Sequence, residues 1–143
     1  MTNAEFERKI FWGMYEKFLD KNGKPFYFTA RENYAVINKK TPAFNKPIIA
    51  MDFLVQKKLL RINAFMQDDE ELFQHLFKIK KEIEEKLGFE VKWVHGEKGQ
   101  NTYRIMIELH FSLLSEDEYN ILIQKSIPIV EKFIYTFRPY IEC

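Results

Sequence analysis

PIIAMDFLVQKKLLRINAFMQDDEELFQHLFKIKKEIEEKLG, residues 47–88, is the stretch that decides how this chain folds. Two apolar runs flank Gln56-Lys57-Lys58, and a long amphipathic segment follows at once. In the first run Ile49, Met51, Phe53 and Val55 alternate with Ile48, Ala50, Asp52 and Leu54. In the second, Leu60, Ile62, Ala64 and Met66 alternate with Leu59, Arg61, Asn63 and Phe65. A period of two belongs to a strand, whose successive side chains point to opposite faces. At Gln67 the period changes. Leu72, Leu76, Ile79, Ile83 and Leu87 recur at steps of four and three, widened by Phe73 and Phe77, which predicts one helix over 69–87. Asp68 and Glu71 give it a capping-box start, Lys78, Lys80, Lys81 and Lys86 suit its C-terminal half, and Gly88 is placed to stop it. The stretch therefore reads as an antiparallel hairpin over 48–66 that hands the chain to a helix lying across one apolar face. Both strands carry apolar residues on both faces, so cover on the second face is expected too.

Upstream, Thr2-Asn3-Ala4-Glu5 is another capping-box pattern, with a stripe of Phe6, Ile10, Met14 and Phe18 behind it and Phe11, Trp12, Tyr15 and Leu19 beside that. Gly13 falls inside this first helix at a cost of about 1 kcal/mol relative to Ala, which suggests close packing there. Asn22-Gly23-Lys24-Pro25 ends the helix. Phe26 to Thr29 reads as a short edge strand or a staple under the first helix, and Tyr34 to Ile37 is strand-like. Downstream, Phe89-Glu90-Val91-Lys92-Trp93 alternates, 96–101 makes a turn, and Tyr103 to Leu109 returns as the partner strand. Ser115 to Glu118 caps a last helix, which Pro128 is expected to kink or split. The fold class is α+β: a largely antiparallel sheet of four to five strands with about three helices, in the order α-β(β)β-α-β-β-α.

A chain of 143 residues is one domain, 1–143, long enough to bury roughly two-thirds of its unfolded surface. Its single cysteine, Cys143, excludes a disulfide framework within one chain. No run approaches eighteen apolar residues, and the opening Met1-Thr2-Asn3 leads into a charged amphipathic segment. Neither membrane span nor signal peptide is expected, and the cytoplasm is the default location. The formal charge of +1 conceals a split: residues 1–61 hold twelve Lys/Arg against six Asp/Glu, and residues 62–143 hold ten against fifteen. Such polarity suits an anionic partner on one face or head-to-tail association into a homo-oligomer, and it also fits charges that simply scatter over the folded surface.

Signals for chemistry are sparse. His75, His95 and His110 are scattered without metal-ligand spacing, and there is no glycine-rich phosphate loop, GxSxG elbow or Cys/His pair, so no metal and no cofactor is expected. The acidic clusters at 68–71 and 116–118 are accounted for as helix starts. Asp52 in one strand and Glu90-Val91-Lys92 in another have the residue types of a PD-(D/E)xK nuclease, in which carboxylates converge on Mg²⁺. The order is wrong for that motif, because a helix intervenes and the strand after Asp52 offers Arg61-Ile62-Asn63 instead. What remains is a cationic belt, Lys39, Lys40, Lys46, Lys57, Lys58 and Arg61, with Tyr34, Phe44 and Phe53 interleaved and Asp52 the one acid between Lys39 and Arg61. Cations on loops and a hairpin tip suit phosphate contacts, and they also protect hairpin edges against aggregation.

The whole chain resembles the bacterial family catalogued as domain of unknown function 4268. The likeness runs through Phe11-Trp12, Asn38-Lys39-Lys40-Thr41, the hairpin with its Lys57-Lys58 turn, the helix with Leu76, Ile79-Lys80 and Ile83-Glu84, the Trp93 strand and Tyr103-Arg104-Ile105. Where such domains usually have Lys-Thr-Gly, this chain has Lys40-Thr41-Pro42. Members look like short free-standing proteins or the C-terminal part of longer proteins with a nuclease-like front half. The resemblance implies a connection with nucleic acid or restriction-type defence and carries over no catalytic residue. The resulting expectation is a non-enzymatic binding domain, with nucleic acid as ligand through Lys39, Lys40, Lys57, Lys58 and Arg61. Two other classes stay open: a divergent metal-dependent nuclease using Asp52, Glu90 and Lys92, and a protein–protein module that self-associates through its aromatic surface.

Overall fold

The computed structural model describes residues 3–31, 33–39, 47–96 and 100–141. In chain order the elements are α1 (Asn3–Lys21), β1 (Phe28–Ala30), β2 (Tyr34–Ile37), β3 (Ile48–Leu54), β4 (Leu59–Gln67), α2 (Glu70–Lys78), α3 (Lys80–Leu87), β5 (Lys92–His95), β6 (Thr102–His110) and α4 (Glu116–Phe137). The class is α+β as expected, but the described residues form six strands and four helices. Every pairing is antiparallel, in one sheet of order β1-β2-β3-β4-β6-β5.

The predicted hairpin is present, with Leu54 opposite Leu59 at its tip and Ile48 opposite Phe65 at its base. Lys58 N–H donates to Val55 O across the turn. All four helices send buried side chains into one cluster with Ile49, Met51, Phe53 and Val55 of β3 and their same-face neighbours. Phe53 is the hub of that core. Its ring stacks on Phe11 at 4.1 Å and Phe111 at 5.4 Å and meets Tyr119 edge-on at 5.3 Å. On the second face Val36, Ile48 and Ala50 are buried beside Tyr34 and Phe65, and among the described residues no helix joins that cluster.

Several local expectations are corrected. The predicted 69–87 helix breaks at Ile79, because its two halves serve different partners. In α2, Phe73 packs on Trp93 and Tyr103 of the sheet, whereas α3 packs on α4. The cap of α2 is Asp69, one residue later than expected, and its Oδ1 accepts from Leu72 N–H. Gly88 ends α3 at φ +86°, a left-handed conformation that glycine adopts without a Cβ clash. In α1 the deeply buried stripe is Phe11, Trp12, Tyr15 and Leu19, while Ile10, Met14 and Phe18 flank it and Phe6 is exposed. Gly13 is not closely packed: a Cβ added there would meet nothing within 4 Å. Pro128 neither splits α4 nor ends it, because it lies on the solvent side, where water can satisfy the carbonyl it leaves unpaired. Among the described residues no helix is long and apolar enough to cross a membrane.

Candidate functional site

The face of the sheet without helices carries the polar residues of the central strands. Because β4 pairs with both β3 and β6, its alternating residues Arg61, Asn63 and Phe65 fall into rows with Asp52 and Glu108, with Ala50 and Met106, and with Ile48 and Arg104. A connected array results. Arg61 Nε donates to Asp52 Oδ2 at 3.0 Å, and Asn63 Nδ2 donates to the same oxygen at 3.0 Å and to Ala50 O at 3.2 Å. Arg104 Nη1 donates to Asn63 Oδ1 at 3.2 Å and stands 3.6 Å from Asp52 Oδ2, while its guanidinium lies 4.7 Å over the Phe65 ring. Asn63 is fully buried at the centre, so its amide acts as a spacer that fixes one carboxylate against two guanidiniums.

Arg61 and Arg104 also line a pocket of about 150 Å³ with Val94, Gln100 and Thr102. At the edge of this face Lys92 pairs with Glu108, and that hydrogen bond holds the Glu108 carboxyl below the usual glutamate range. The chemistry available is recognition of a planar or anionic group. Guanidinium forks suit phosphate and carboxylate, and the Arg104 guanidinium over the Phe65 ring is a cation–π pair beside them.

The predicted site residues separate. Lys57 and Lys58 are exposed at the β3–β4 tip, four and three residues before Arg61. Lys39 follows β2 at the base of β3, about 20 Å away across the six steps of this seven-residue strand at ~3.3 Å each. Lys40, Phe44 and Lys46 lie outside the described residues. Among the described residues, therefore, Lys39 and the Lys57–Lys58 tip stand at opposite ends of β3. Phe53, placed in it by sequence, belongs to the core on the other face. Tyr34 stays on the polar face, opposite Asp52.

The structure does not bring Asp52 and Glu90 together. Strands β4 and β6 stand between β3 and β5, a separation of about 14 Å at ~4.8 Å per strand. Asp52 is committed to Arg61 and Asn63, and Lys92 to Glu108. Among the described residues no three His, Cys, Asp or Glu side chains are grouped to hold a metal ion. His75 lies on α2, His95 ends β5 and His110 ends β6, all exposed.

Arg104 and Phe65 are the site residues that reading the sequence missed. The signal for Arg104 lay in the alternation of 102–110, which places it with the even-numbered polar residues of that strand. Comparison with protein-family models, with curated proteins and with solved structures gives no match.

Proposed function

We propose that this domain binds single-stranded nucleic acid on the helix-free face of its sheet and does not hydrolyse it. The observation that carries the reading is the convergence of the Arg61 and Arg104 guanidiniums on one polar pocket beside Phe65. Lys57 and Lys58 at the tip of the same hairpin extend the positive track. Among the described residues Arg61 engages Asp52 only through Nε, leaving its Nη groups for a phosphate. Bases that are not stacked in a duplex can lie on an aromatic ring or a guanidinium plane, which favours a single strand over a duplex. Asp52 and Glu108 moderate the charge of this face.

The test is fluorescence anisotropy of labelled oligo(dT) and of a duplex of equal length across a salt series. Binding through phosphates predicts a log–log slope of about −0.7 per contact for the single strand. Reversing Lys57 and Lys58 to Glu flattens that slope without unfolding the domain, because the tip is exposed. Arg104→Ala weakens the single strand more than the duplex. Failure of both probes to bind at low salt would reject the reading.

A further inference from the structure

The C-terminal end of α4 leaves a cavity against the helix-bearing face of the sheet, on the other side from Arg61 and Arg104. It measures about 190 Å³ and is lined by Ile37, Ile49, Ile134 and Ile141 together with Asn38, Lys39 and Arg138. The register that sets Val36 opposite Ala50 brings Ile37 beside Ile49 on the face turned toward the core. Residues 134, 138 and 141 have the spacing of neighbours on one side of a helix. The backbone keeps that spacing past the end of α4, because Arg138 N–H donates to Ile134 O and Ile141 N–H to Phe137 O, each at 3.0 Å. Two buried isoleucines from the strands and two half-buried ones from the helix end therefore wall the space.

The polar side of the cavity is cationic. Asn38, at φ +57°, donates its N–H to Tyr27 O at 2.8 Å and accepts from Tyr27 N–H on Oδ1 at 3.1 Å. Thr29 Oγ1 donates to Lys39 O. The backbone carrying Lys39 is thus tied to the β1 side of the sheet. Among the described residues neither Lys39 nor Arg138 has an ion-pair partner, and no Asp or Glu lines the cavity. The end of α4 contributes about half a negative charge, which two full positive charges outweigh. A neutral apolar molecule would leave the cations unused, and a bare inorganic anion would leave the isoleucine walls wet. An apolar cavity of about 150 Å³ accepts a benzene-sized group, so the hydrocarbon part has about six carbons.

We propose that this cavity binds a small amphipathic carboxylate. Its tail of about six carbons lies among the four isoleucines, and its two oxygens give Lys39 and Arg138 one acceptor each.

The test uses the intact domain, labelled at the isoleucine δ1-methyls and titrated with hexanoate at low salt. Hexanamide lacks the charge, acetate lacks the tail and hexylammonium reverses the sign. Hexanoate is expected to shift the methyls of Ile37, Ile49, Ile134 and Ile141 at millimolar concentration, with each of the other three compounds weaker by about fivefold or more. Lys39→Gln combined with Arg138→Gln should abolish the preference for hexanoate over hexanamide and keep the folded spectrum, because neither side chain belongs to the core. Ile134→Phe fills the cavity from a half-buried position and should weaken hexanoate by a similar factor. Unmoved methyls at these four isoleucines, or hexanamide binding as tightly as hexanoate, would overturn the proposal. So would a double glutamine variant that retains the preference for the acid.

Discussion

Replacing Asp52 with Ala separates stability from binding on the polar face, because the two should move in opposite directions. Asp52 Oδ2 accepts from Arg61 Nε and Asn63 Nδ2 and faces Arg104 at 3.6 Å. The side chains of Asp52, Arg61 and Arg104 are 13%, 20% and 28% exposed. An exposed pair contributes about 1 kcal/mol or less, and breaking a fully buried one costs about 3–5 kcal/mol. This partly covered array lies between, so the loss is about 2 kcal/mol. At a slope of about 2 kcal/mol/M in urea, the midpoint falls by about 1 M. The same substitution removes one negative charge from the proposed ligand track. At ~7 Å in water-like dielectric that charge repels a phosphate by about 0.6 kcal/mol, so oligo(dT) binds about threefold tighter. Urea melts and low-salt anisotropy on one preparation give both numbers. A melt shifted by under 0.3 M, or an affinity that drops while the fold persists, would refute the reasoning. The second result would mean that Asp52 is needed to hold the arginines in a binding geometry.

Three further outcomes are expected. Phe53→Ala removes the fully buried ring stacked between Phe11 and Phe111 and should cost about 3–5 kcal/mol in denaturant melts. Gly13→Ala, with open space around the new Cβ, should raise stability by about 1 kcal/mol and increase the melting temperature. Burial pushes the Tyr15 hydroxyl, hydrogen-bonded to Ser126 Oγ, well above the ordinary tyrosine pKa. A raised folded-state pKa gives stability that is complete below pH ~10 and is lost as pH rises toward the folded value. Tyr15→Phe should therefore cost about 1 kcal/mol at neutral pH and remove about 1.4 kcal/mol per pH unit from the alkaline loss, read from melts above pH 10.

The hairpin was legible because its cues are local: period two on either side of a polar turn, and a change of period at Gln67. The break at Ile79 was not, since nothing in 69–87 says that Phe73 packs on the sheet while α3 packs on α4. Which apolar stripe of α1 faces inward was likewise undecided by spacing. Both the Phe6 set and the Phe11 set are periodic, and the aromatic partner Phe53 chose between them. Lys39 stands apart from the rest because neighbours in sequence become opposite ends of a strand: Lys39 and Lys57 are separated by the length of β3. Arg104 joined the site through the β4–β6 register, a pairing across about forty residues that alternation cannot supply. Gly13 was read as a close contact because its helical cost needed a reason, and the structure gives an open groove in its place.

The most direct measurement of the central claim is an amide NMR titration of the isotopically labelled domain with oligo(dT) at low salt. Binding on the helix-free face predicts shifts concentrated at Lys57, Lys58, Arg61, Phe65, Thr102 and Arg104, with α1 and α4 unmoved. Shifts confined to the helices, or none at saturating oligonucleotide, would contradict it.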